Sequence, residues 1–233
     1  MGLLSSAGAV RNVLYLYLAA AFPLMMTVFH HRTLLKKRGD YRAFLLYFTA
    51  FFALFLAVPV LIILIAAPDP RAFLASVGLA AGRAGRGLLI MAASVPVALL
   101  AAFVGSRDPA MKGQYPFSKE ACAGLKKFIL YETSYLFFYY LSWEFLFRGI
   151  LFFPLVAAVG LIPALTVETI ISTVYHFGHP DSEIFAALGG GLIFGLIAYT
   201  TGSFLYTVII HAAVGIGNDS FLYYRHHKRG RDA

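Results

Sequence analysis

Seven apolar runs alternate along the chain with short polar segments marked by proline, glycine or clustered basic residues. They cover roughly residues 13–29, 43–67, 87–105, 128–153, 164–178, 184–200 and 204–222. A helix needs about 20 apolar residues to cross a bilayer core, and most of the runs approach that length. Pro68-Asp69-Pro70 stops the second run, Pro154, Gly160 and Pro163 mark a turn after the fourth, His179-Pro180-Asp181 closes the fifth, and Thr201-Gly202-Ser203 is a tight turn before the seventh. Gly191 and Gly195, four apart in the sixth run, form a small-residue strip for close helix contact. The Ala- and Gly-rich stretch 71–86, with Arg71, Arg83 and Arg86, reads as an interfacial helix, and a second is expected after Tyr115-Pro116. No strand pattern and no repeat is visible. The fold class is therefore all-α: a polytopic transmembrane helical bundle of about seven spans plus interfacial helices. Three divisions follow: 1–127 with spans one to three, 128–222 with a core of four spans, and 223–233 as a basic tail.

Charge sets the orientation. The segment from His30 to Arg42 holds Arg32, Lys36, Lys37, Arg38 and Arg42 against the single acid Asp40. Such a cluster belongs on the cytoplasmic side, with the N-terminus outside. The tail Arg225-His226-His227-Lys228-Arg229-Gly230-Arg231 reads as a cytoplasmic anchor at the anionic membrane face. The expected location is an integral, multi-pass protein of a bacterial inner (plasma) membrane with a cytoplasmic C-terminus.

Composition agrees. Hydrophobic residues make up 60% of the chain and charged ones 13%, against about 45–50% and about 25% in soluble domains. The net charge of +8 arises from residues clustered between and after the runs, so no nucleic-acid partner is expected. The lipid bilayer is the partner implied, with the oligomeric state unassigned. Cys122, alone, excludes an intramolecular disulfide. The first run ends in His30-His31-Arg32 rather than a small-residue cleavage site, so no cleavable signal peptide is expected. The opening Met1-Gly2-Leu3-Leu4-Ser5-Ser6 fits a loose myristoylation pattern, but a chain anchored by its spans has no need of one.

The ionisable residues that lipid would reject lie in the second half. Glu144 and Arg148 fall four apart inside the fourth run, on one helix face. Each costs roughly 2.5–3.5 kcal/mol on insertion scales, which pairing partly offsets. The fifth run carries Glu168, Ser172 and His176 at successive fours, and the seventh carries His211 with Asn218 on the same face. An acid and two histidines on three separate helices fit hydrolysis: a carboxylate activates water, one histidine shares that water or passes its proton on, and the other stabilises an oxyanion. Taken singly, each has a plainer reading. Arg148 with Glu144 is a structural clasp, His176 a satisfied buried histidine, and His211 a donor to a carbonyl. Glu132 and Glu168 read as polar contacts at span ends, and Asn218 as a solvated residue near the interface. Two histidines and one carboxylate also match catalytic zinc ligation, a minority alternative because no His-Glu-x-x-His pair is present. No other cofactor is implied.

These residues resemble the CAAX protease and bacteriocin-processing family of intramembrane proteases, which includes the Ras-converting CAAX endopeptidases. That family carries Glu-Glu-x-x-x-Arg, Phe-x-x-x-His and His-x-x-x-Asn on separate spans. The first is similar to Trp143-Glu144-Phe145-Leu146-Phe147-Arg148-Gly149, the second to Ser172-Thr173-Val174-Tyr175-His176, and the third to His211-Ala212-Ala213-Val214-Gly215. Order and spacing agree from about Glu132 to Asp219. Aligned on Arg148, the family's first glutamate falls on Trp143, its phenylalanine on Ser172 and its asparagine on Gly215.

The resemblance implies an intramembrane endopeptidase of the glutamate type. Its substrates would be membrane-associated peptides or proteins, cut at C-terminal or leader segments. Glu144 and His176 would activate water, His211 would stabilise the oxyanion, and Arg148 would orient Glu144. Asn218 or a backbone amide would supply the donor missing at Gly215. The alternative is a catalytically inactive relative acting in binding or immunity.

Overall fold

The structure, a computed structural model, describes residues 6–229. The myristoylation pattern and the end of the basic tail lie outside these residues. Among the described residues there is no strand. Six helices are long and apolar enough to cross a membrane: α1 (Ala7–Thr27), α3 (Asp40–Ala66), α5 (Ala84–Gly105), α7 (Leu125–Val159), α9 (Asp181–Thr201) and α10 (Leu205–Arg229). The fifth apolar run forms α8 (Leu161–Val174), an apolar helix of 14 residues that falls short of a span by itself. Short helices α2 (His31–Leu35), α4 (Pro70–Ser76) and α6 (Pro109–Gln114) lie in the connections, with a 3₁₀ turn at Lys119–Ala123. The chain is an all-α, multi-pass membrane protein.

Caps explain the helix starts. Ser6 accepts from the Ala9 amide, Asp69 from Ala72 and Asp108 from Ala110, with Pro70 and Pro109 at the first helical positions, where no amide proton is missed. The helix expected over 71–86 stops at Ser76, because Gly78 at φ 77 turns the chain. Arg83 and Arg86 then donate side-chain N–H groups to the Thr200 carbonyl at 2.9 and 3.3 Å. Two cations thus cap the C-terminal end of α9, where the helix dipole is negative.

The turn expected across Pro154 to Pro163 is narrower than the sequence implied. α7 runs through Pro154 to Val159, and the break falls at Gly160, φ 85. Proline is tolerated there because it follows a wide π-helical stretch, Phe145–Leu151, in which the usual bonding pattern is already interrupted. A second wide stretch, Tyr135–Tyr140, lies one turn earlier, so the four residues Leu141–Glu144 are bracketed by π-helix. The segment 223–229 is likewise no separate tail but the last turns of α10.

α7 is the central helix. One side meets α3 through an aromatic layer in which Phe48 stacks on Tyr135 (4.7 Å, 14°) and Phe51 on Trp143 (6.1 Å, 16°). α1 packs outside α3, burying Val10, Leu14, Leu18, Ala21 and Met25 along one stripe. α3 has its own π-helical stretch at Ala53–Ala57, and the Tyr17 hydroxyl donates to the Leu54 carbonyl at 3.0 Å. On the other side of α7, α8 and α9 form an antiparallel pair and α10 packs against α5. Gly191 and Gly195 are where α9 meets α8, against Thr169 and Leu165, as the small-residue strip implied.

Candidate active site

Four helices surround a cavity of about 570 Å³ between α5, α7, α9 and α10. Its walls are mainly apolar, and Trp143, Arg148, His176 and His211 line its inner part. Such a pocket, apolar with a few converging polar groups, is the form small-molecule and peptide sites take.

α7 and α10 bring Glu144 to His211. Glu144 is fully buried, and its Oε1 lies 2.7 Å from His211 Nδ1. The same oxygen receives Arg148 Nη1 at 3.4 Å, and Oε2 accepts from the Thr207 hydroxyl at 2.7 Å. Thr207 sits one turn before His211 on α10, so one helix presents both donors to the carboxylate. Both oxygens are thereby occupied, and Glu144 stands behind His211 rather than on the cavity wall.

Arg148 is also buried, between two acids. Its Nε is 3.1 Å from Glu168 Oε1, although the N–H direction does not make a hydrogen bond, so the contact is ionic. Glu168 is 2% exposed and is not the peripheral contact expected at a span end. The Arg148 guanidinium lies 5.5 Å from the Phe194 ring centroid. The Glu144–Arg148–Glu168 chain therefore ties α7 to α8, while His211 and Thr207 tie α7 to α10.

The two histidines have defined tautomers. His176 follows α8 by two residues, and its Nδ1 lies 2.8 Å from the Ser172 carbonyl oxygen, which only accepts. His211 Nδ1 faces a carboxylate. Both Nδ1 atoms therefore carry protons, leaving Nε2 as the free nitrogen of each ring. Trp143 stands edge-on to both imidazoles, with ring centroids 5.2 Å from His176 and 6.3 Å from His211. The indole fixes the spacing of two histidines that come from different helices.

A catalytic zinc uses three protein ligands and an open position. Among the described residues no group of three or more His, Cys, Asp and Glu side chains converges to hold a metal.

The sequence did not single out Tyr115, His179, Glu183 or Tyr140, and it placed Asn218 and Glu132 nearer the surface than they are. Tyr115, His179 and Glu183 meet along the cavity: the Tyr115 hydroxyl donates to Glu183 Oε1 at 2.5 Å, and His179 Nδ1 lies 2.8 Å from the same oxygen. Tyr140 packs its ring 4.8 Å from His211. Asn218 is 3% exposed rather than solvated, and its Nδ2 donates to Asp219 Oδ1 at 3.2 Å. Glu132 is buried as well.

No curated protein and no solved structure shows a significant match to the chain. A family model does match, over residues 127–216, which takes in α7 to the middle of α10 and all three motifs. Over that segment the chain is similar to the family described as type II CAAX prenyl endopeptidase Rce1-like.

Proposed function

We propose that the chain is an intramembrane endopeptidase in which His211, held by Glu144, is the base that activates water. The carrying observation is the 2.7 Å contact between Glu144 Oε1 and His211 Nδ1, with the carboxylate enclosed and the imidazole on the cavity. A carboxylate behind Nδ1 keeps the proton there, leaves Nε2 as an acceptor and stabilises the imidazolium when Nε2 takes a proton. This differs from direct water activation by Glu144, because that carboxylate is enclosed behind His211 and does not line the cavity. His176, across Trp143, hydrogen-bonds the same water or the leaving amine through its free Nε2. Arg148 is a positioning residue that sets Glu144 and holds α8 through Glu168.

The substrates we infer are membrane-associated peptides or proteins. The cavity is apolar and enclosed by membrane helices, so a chain segment carrying a lipid or an apolar flank reaches it from the bilayer. The Rce1-like match adds a C-terminal, prenylated segment as the first class to try. The basic residues at the end of α10 support a cytoplasmic C-terminus.

The test compares hosts carrying the wild-type chain or His211→Ala at equal membrane abundance, mapping peptide termini across the proteome. Termini formed with wild type alone support the reading and name the substrate. Identical termini, with both proteins folded, favour a non-catalytic relative in which the Glu144–Arg148–Glu168 network is a clasp.

A further inference from the structure

A second cavity, of about 720 Å³, lies where the connection between α5 and α7 meets the last turns of α10. That volume falls within the roughly 300–1,000 Å³ of small-ligand sites. Lys112 on α6, Lys119 on the 3₁₀ turn, and Arg225 and His226 on α10 line it, and no carboxylate does. Cys122, the thiol in its wall, supplies no negative charge at neutral pH, because burial, with the charge of Asp219, raises its pKa to about 11. Tyr115 lines both this cavity and the one that holds the histidines, so the two are neighbours.

The cations of this cavity lack acids to match them. Among the described residues none of Lys112, Lys119 and Arg225 forms an ion pair. Lys119 Nζ donates to the Tyr115 and Lys112 carbonyls at 2.9 and 3.4 Å, and Arg225 Nη1 to the Ser106 carbonyl at 2.7 Å. These neutral acceptors place the charges without neutralising them. Asp219 and Asp40, whose charges reach Lys119, are engaged elsewhere: Asp219 accepts from Asn218, and Asp40 from the Ser118 hydroxyl and the Glu120 amide. Burial lowers the Lys119 pKa in spite of them. Arg107 adds a further cation, since its guanidinium and that of Arg225 sit 4.3 and 5.7 Å from the same ring, Phe103. Like charges gathered this closely repel, and an anion between them turns the cost into attraction.

The same end of the bundle carries the basic connection from His30 to Arg42, because the Tyr41 hydroxyl donates to the Lys127 carbonyl at 3.1 Å and Ser118 to Asp40 at 3.2 Å. The positive-inside rule assigns that end to the cytoplasm. The leaflet there is negatively charged, and basic pockets between helices at that face bind anionic lipid headgroups. Pro116, Ala123 and Leu222 give the cavity an apolar wall for the glycerol and first acyl carbons. A zwitterionic headgroup would bring its own cation into a cavity with no carboxylate to receive it.

We propose that this cavity is a binding site for the phosphate headgroup of an anionic phospholipid. Arg225 offers the remaining N–H groups of its planar fork to the phosphate oxygens, and Lys112 and Lys119 neutralise its charge. The site does not depend on the endopeptidase reading.

The experiment takes the purified full chain from bilayer discs of phosphatidylcholine and phosphatidylglycerol in equal parts, and weighs it with its retained lipid by native mass spectrometry. Wild type should keep phosphatidylglycerol in preference to phosphatidylcholine. One Lys or Arg beside an anionic lipid is worth about a factor of five in affinity, so Lys112→Gln and Arg225→Gln should each weaken retention by that factor. Lys112 is exposed, and its variant serves if Arg225→Gln, which also loses the Ser106 contact, fails to fold. Lys36→Gln, which removes an exposed cation of the His30–Arg42 connection, should retain the lipid as wild type does. Equal retention of the two lipids by wild type, an undiminished preference in Lys112→Gln, or an equal loss in Lys36→Gln overturns the site. Displacement of the lipid by inorganic phosphate alone would assign the same cations to a free anion and overturn the lipid as the source.

Discussion

His211 Nδ1 and Glu144 Oε1 lie 2.7 Å apart, joining helices whose residues are 67 apart in sequence. The contact gives a buried carboxylate a use other than contact with water, because it dictates which nitrogen of the imidazole is free. Thr207 and Arg148 complete the shell of the carboxylate, so its direction is set from two helices.

Glu144→Gln should keep the fold and lose activity. An amide preserves the shape but no longer favours the Nδ1-protonated imidazole or stabilises the imidazolium. kcat should fall by about 10³- to 10⁴-fold with KM little changed. Nitrogen NMR of labelled histidine should show the His211 tautomer shifting in this variant and not in wild type. That readout separates a positioning role from a purely structural one.

The Arg148 network should be costly to break from one side. Arg148→Ala leaves Glu168 without its cation and Glu144 with one donor fewer. A lone buried charge of this kind costs about 3–5 kcal/mol. Thermal unfolding in detergent should show the loss, and the double variant Arg148→Ala with Glu168→Gln should recover part of it, because one of the orphaned charges is gone.

The α8–α9 seam should tolerate no added bulk. A Cβ at Gly195 would meet the Leu165 side chain and come within 3.5 Å of Glu168 Oε2. Gly195→Val should destabilise by about 1–3 kcal/mol. It should also loosen the Arg148–Glu168 pair, lowering activity in proportion to the loss of folded protein at the assay temperature.

His31, in the connection between α1 and α3, should give acid sensitivity unrelated to the active site. Burial, with the nearby charges of His30, Arg32 and His179, lowers its pKa from 6.5 to about 4. The ring stacks on Phe44 at 5.9 Å and meets Tyr47 edge-on at 5.8 Å. A depressed folded-state value means that the unfolded chain binds the proton first. The stabilising contribution is therefore complete above pH 6.5 and is lost as pH falls from 6.5 towards 4. Melting temperatures measured over that window should fall for wild type and fall less for His31→Phe.

The helices and the residues of the site were legible in the sequence because lipid leaves few alternatives. A charge inside an apolar run needs a reason, and Glu144, Arg148, His176 and His211 stood out on that ground alone. Their connections were less visible. Periodicity put Glu144 and Arg148 on one face, but nothing local gave Glu168 as the second partner of Arg148, since that contact depends on how α8 folds back against α7. The role of Glu144 also turned on three-dimensional facts: which way the carboxylate points and what fills its lone pairs. Gly215 read as a lost donor. Its meaning lay in Tyr140, 75 positions earlier, whose hydroxyl needs that space. The length of α8 and the break at Gly160 were misplaced because the wide turn at Phe145–Leu151 accommodates a proline that usually ends a helix.

The central claim is that the His211 imidazole performs the proton transfer, and chemical rescue tests it most directly. The mapped substrate would be presented to wild type and to His211→Ala in bilayer discs, with and without added imidazole. Cleavage should be lost in His211→Ala and partly restored by imidazole entering the vacated space beside Glu144. Cleavage by His211→Ala at the wild-type rate without imidazole would contradict the account.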